Sequence, residues 1–76
     1  MRARPSDFVI ADRLKAELLK AGFTQSRLAA ALGAPQSFVA KLESGERRLL
    51  LSDVIAISIA LQFDLATFCN DIVGQA

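Results

Sequence analysis

Two short apolar-periodic runs, separated by only Gly33-Ala34-Pro35, constrain this chain more than any other feature. The stretch Thr24 to Arg48, TQSRLAAALGAPQSFVAKLESGERR, reads as two helices joined by a tight turn. Thr24 suits an N-cap, because its hydroxyl can accept from first-turn N–H groups. Leu28, Ala29 and Leu32 then fall on one face at helical spacing. Gly33 closes that run, since it accepts the left-handed conformation a C′ position needs. Pro35 is tolerated at the opening of the next, where N–H groups have no intrahelical partner. Val39 and Leu42 give the second helix its buried side, and Gly45 ends it.

The buried side defines an outward one. Gln36, Ser37, Ala40 and Lys41 lie opposite Val39 and Leu42, near the helix start. A glutamine amide matches the donor and acceptor of adenine N6 and N7. A lysine donates to guanine O6 and N7 or to phosphate, and a small apolar side chain can meet a thymine methyl. These four are the candidate base contacts, and Arg47 and Arg48 the candidate contacts to the adjacent backbone. The stretch resembles the helix-turn-helix of the Cro/C1-type (XRE-like) regulators. The matching residues are Thr24-Gln25, Leu28-Ala29, Leu32-Gly33, Gln36-Ser37-Phe38-Val39, Lys41-Leu42-Glu43 and Gly45-Glu46-Arg47-Arg48-Leu49, within a resemblance running from about Leu14 to Leu65.

The resemblance implies an all-α, compact five-helix lambda-repressor-like domain, with the helix-turn-helix formed by helices 2 and 3. It implies a phosphate contact for Gln25 at the start of the first helix of the pair, with Arg27 a weaker backbone contact. The sequence also departs from its relatives. Pro35 stands where many of them have a small hydroxylated residue. Leu18 stands near where some have an arginine that pairs with the glutamate matching Glu43, so that ion pair is not carried over.

Seventy-six residues make one domain, near the lower size at which a single core holds a fold. The net charge is only +1, but all nine Lys and Arg lie within residues 1–48 and the later acids are Asp53, Asp64 and Asp71. That asymmetry turns one end of the molecule toward phosphate. Cys69 has no second cysteine for a disulfide and no histidine for a zinc site or catalytic dyad, so no metal or cofactor is expected. The absence of a nucleophile-plus-base pair and of a phosphate-cradling glycine loop also argues against an enzyme. No signal peptide is evident, and the apolar run Leu49–Leu61 is too short for a bilayer, so a cytoplasmic, DNA-associated protein of bacterial or phage origin is expected.

Residues 1–5 read as a basic arm, with Arg2 and Arg4 as candidate DNA contacts, residues 6–73 as the domain and residues 74–76 as a frayed tail. Ser6 caps a first helix with the stripe Phe8, Ala11, Leu14, Leu18 and Ala21, ending at Gly22. Leu49 and Leu51 are expected to tuck a loop under the core, and Ser52 to cap a fourth helix whose core side is Val54, Ile57 and Leu61. Its other side carries Ala56 and Ile59, flanked by Ile55 and followed by Phe63, where relatives often have lysine or another polar residue at 56 and 59. A helix apolar around most of its circumference needs burial on more than one side. Asp64 caps a fifth helix with Leu65, Phe68, Cys69, Ile72 and Val73 apolar.

These apolar residues point to a homodimer through Ile55, Ile59, Phe63, Phe68 and Ile72, set against a monomer in which the fifth helix folds back over the same surface. Two copies would read half-sites about one helical turn apart. The expected role is a sequence-specific regulator of double-stranded DNA, a homodimeric repressor at an inverted-repeat operator. The alternatives are a restriction–modification controller protein, an antitoxin whose apolar half binds a toxin partner, or an interaction module that has lost DNA binding.

Overall fold

The structure, a computed structural model, describes residues 6–75. They form five helices in order: α1 (Asp7–Ala21), α2 (Gln25–Leu32), α3 (Gln36–Ser44), α4 (Leu51–Leu61) and α5 (Leu65–Gln75). The all-α, five-helix expectation holds. Local chemistry accounts for most boundaries. Ser6 Oγ accepts from the Val9 N–H at 3.2 Å and Thr24 Oγ1 from Arg27 N–H at 3.1 Å, each meeting one of the first-turn donors that a helix cannot satisfy itself. Asp64 Oδ2 does the same for Thr67 N–H at 3.0 Å and also accepts from Thr67 Oγ1 at 2.6 Å.

The core is one cluster. Leu14 and Leu18 of α1, Leu28 and Ala29 of α2, Val39 and Leu42 of α3, Val54, Ile57 and Leu61 of α4, and Phe68 and Ile72 of α5 are all buried in it. Neighbouring elements are α2 with α3, α1 with α3, α2 with α4, and α1 with α5. Arg13 of α1 also bonds Asp71 of α5 at 2.8 Å, so one acid of the C-terminal half is spent on a cation of the N-terminal half. No single described helix is long and apolar enough to cross a membrane, and α4 and α5 meet at a bend of 119°.

Four expectations are corrected. Phe8 does not enter the core but stays 67% exposed, its ring lying over Gly45 at the end of α3. A Cβ on Gly45 would stand 2.6 Å from Phe8 Cδ1, and Gly45 itself is left-handed at φ +79°, so glycine serves both the backbone and the close approach. Helix α4 starts at Leu51 rather than after Ser52, because the Leu50 carbonyl already accepts from Asp53 and Val54 N–H at 3.0 and 3.2 Å. Leu50 offers no capping side chain. Leu49 is half-buried against the core, but Leu51 is exposed on the first turn of α4. Lastly, α5 runs through Gly74 and Gln75, where a tail was expected; a helix-interior glycine costs only about 1 kcal/mol, which a last turn tolerates.

Candidate nucleic-acid interface

The turn between α2 and α3 is held by backbone bonds from Gly33 N–H to Ala30 O at 3.2 Å and from Ala34 N–H to Ala29 O at 2.9 Å. This is the paired closure of a helix with a left-handed C′ glycine. Pro35 then sets α3 in a new direction from an extended conformation and makes no side-chain cap bond. Val39 and Leu42 are 1% and 2% exposed, which fixes the rotation of α3 about its own axis. Gln36, Ser37 and Lys41 are consequently exposed, and Ala40 is half-buried beside them.

The far end of α3 is wrapped tightly. The Lys41 carbonyl accepts from the N–H groups of Glu46 and Arg47 at 3.1 and 3.2 Å and from Ser44 Oγ at 3.2 Å. This places the Gly45-to-Arg48 loop directly behind the exposed Lys41 side chain.

Among the sequence-predicted site residues, Arg48 and Lys41 are exposed, and no salt bridge among the described residues involves either. Arg47 differs. Its guanidinium lies 4.5 Å from the centre of the Phe38 ring and 3.6 Å from Asp53, tying the loop to α3 and α4. That correction to its expected role as a backbone contact follows from its planar cation finding both an aromatic face and a carboxylate nearby. Arg27 is exposed and stacks over Phe23 at 4.3 Å. Glu43 is half-buried, its Oε2 has no hydrogen-bond partner among the described residues, and Leu18 faces the core. Arg2 and Arg4 lie outside the described residues.

Gln25 and Gln36, given separate roles from sequence, are joined: Gln36 Nε2 donates to Gln25 Oε1 at 3.4 Å. Ser26, not singled out from sequence, donates from Oγ to Gln36 Oε1 at 2.9 Å. The signal available was a hydroxyl in the first turn of α2, but its relevance depends on the turn bringing two helix starts together.

The expected dimer face divides. Ile55 and Ile59 are 40% and 71% exposed on α4, and with Leu51 they follow a spacing of four, one side of a helix. Phe63 is half-buried with its ring 5.0 Å from that of Phe68. Phe68 and Ile72 are buried inside their own chain, which corrects their assignment to an interface: α5 folds back against α1, and its apolar side is consumed there. Cys69 is exposed. Among the described residues no group of histidine, cysteine or carboxylate side chains could hold a metal ion.

A model of the helix-turn-helix family matches residues 14–68. Among solved structures, the chain is similar to the restriction-modification controller protein C.AhdI from Aeromonas hydrophila. The TM-score is 0.74 at 24% identity, over 82% of this chain and 94% of that one. It is also similar to a point mutant of the restriction-modification controller protein C.Esp1396I, with a TM-score of 0.82 at 20% identity, over 99% of this chain and 94% of that one. A comparison with curated proteins finds no match.

Proposed function

This chain belongs to the Cro/C1-type helix-turn-helix family of DNA-binding regulators, and from that premise we propose that it acts as a homodimeric transcriptional repressor at an inverted-repeat operator. The observation that carries the reading is the division of α3, with Val39 and Leu42 locked into the core and Gln36, Ser37 and Lys41 left outward. A helix held this way can lie in the major groove with its first turns toward base edges, while α2 crosses the backbone. Ser37, Lys41 and Gln36 are the base readers, with Ala40 in reach of a methyl group. Gln25 and Arg48 hold phosphate. Arg47 serves mainly by holding the loop that carries Arg48.

The exposed row Leu51, Ile55 and Ile59 supports self-association, because adjacent large apolar side chains on one helix side gain from leaving water. Dimerisation doubles the base contacts, each worth about 1–3 kcal/mol of discrimination when bidentate. Within this class, likeness in fold to two restriction-modification controller proteins favours a controller role over that of an antitoxin.

Selection of bound duplexes from a random pool tests the proposal. The expected product is a two-fold symmetric sequence with half-site centres about 34–36 Å apart, one helical turn. Recovery of unsymmetrical or unrelated sequences at modest ionic strength would remove it.

A further inference from the structure

The side chains that join α2 to α3 form a short directional series. Ser26 Oγ donates to Gln36 Oε1 at 2.9 Å, and Gln36 Nε2 donates to Gln25 Oε1 at 3.4 Å. A carboxamide has two N–H donors and two lone pairs on oxygen, so Gln36 spends one of each and keeps one of each for a further partner. Its orientation is not free. Turned end for end, the Gln36 amide would set its oxygen against the Gln25 oxygen and withdraw its acceptor from the Ser26 hydroxyl.

From this geometry we infer that Ser26 is a positioning residue for base recognition, fixing the order in which the Gln36 amide offers acceptor and donor to DNA. The inference rests on the proposed placement of α3 in the major groove. Adenine presents an N6 donor and an N7 acceptor there, which an amide with fixed oxygen and nitrogen ends can match. Guanine presents two acceptors, O6 and N7. Reading guanine requires the amide to turn nitrogen toward the purine and oxygen away, and the Ser26 bond opposes that turn. Ser26 therefore acts at a distance from the base, through the side chain it holds. Lys41, on the next turn of α3, has no hydrogen bond to Ser26, so the base pair it reads is unaffected.

The test compares sequences selected from a random duplex pool by the wild type, Ser26→Ala and Ser26→Thr. Ser26 is exposed in the first turn of α2 and Ala is a good helix former, so the Ala variant keeps its fold, which thermal unfolding verifies. Ser26→Ala is expected to lower the adenine-over-guanine preference at one base pair in each half-site by about two- to tenfold, the weight of one net hydrogen bond. Preferences elsewhere and the salt dependence are expected to stay as they were. Ser26→Thr, which keeps a hydroxyl, is expected to restore most of the preference. At the same base pair, 7-deazaadenine is expected to weaken the wild type more than Ser26→Ala.

If the wild type selects an operator whose adenine preference survives Ser26→Ala, the inference fails while the DNA reading stands. A uniform loss at every position also overturns it, since that marks a merely structural role, as does an operator with no adenine preference that Gln36→Ala removes. A wild type that selects no sequence overturns both this inference and the reading beneath it.

Discussion

Arg47 and Arg48 are adjacent and equal in charge, yet their surroundings divide their work. The Arg47 guanidinium is packed on Phe38 and near Asp53 with 37% of its side chain exposed, whereas Arg48 is exposed outright. Arg47→Ala is expected to lower stability by about 1 kcal/mol, the sum of a solvent-screened stack and a screened ion pair, as read by urea unfolding. Arg47→Lys is expected to recover only part of this, because an ammonium lacks the planar face. Asp64 offers a second test. The Thr67 hydroxyl, and then the Thr67 N–H, hold its carboxyl below the ordinary aspartate range. A depressed folded value means that this stabilisation is present above the unfolded pKa and is lost as pH falls through the folded one. Thr67→Val is expected to move the Asp64 titration, followed by NMR, back upward toward the ordinary value. The sequence made Asp64 legible as a cap, since capping is local. The Ser26–Gln36 bond was not legible, because it spans ten positions and exists only once the turn has formed.

Element boundaries were readable where chemistry marks them within a few residues. Ser6, Thr24 and Asp64 at helix starts and Gly22, Gly33 and Gly45 at helix ends stand where spacing places them. Reading failed at the start of α4, where a hydroxyl at Ser52 drew attention although the Leu50 backbone already begins the helix. It failed again at Phe8, whose stripe position suited burial but which lies in the first turn of α1, beyond the edge of the core. Helix α3 was the best-read element because its two anchors and its outward residues obey one period. The proposed roles on it separate by experiment. Lys41→Ala is expected to weaken operator binding more than non-specific binding. Arg48→Ala is expected to weaken both and to reduce the salt slope by about one. Equal effects of the two substitutions on all DNA, measured over a range of salt, would contradict that separation.

At the scale of the whole molecule, sequence showed an excess of apolar surface in the C-terminal half but not its division between inside and outside. Periodicity says which residues of a helix share a side, whereas the crossing of α5 over α1 decides which side is consumed. Phe68 and Ile72 went inward, and Leu51, Ile55 and Ile59 stayed out. Ile59→Lys is therefore expected to shift the protein toward monomer and to lower operator affinity, whereas Cys69→Ser, exposed on α5, is expected to leave mass in solution unchanged. Sedimentation reads both; a wild-type mass that Ile59→Lys does not alter would take α4 out of the interface. The ring of Phe8 on Gly45 has a mechanical side. It sets the opening turn of α1, at 15 residues the longest described helix, as a backstop behind the last turn of α3. Thrust taken by the groove-facing rod as a duplex closes on it passes along that stiff beam, sparing the loop that carries Arg48.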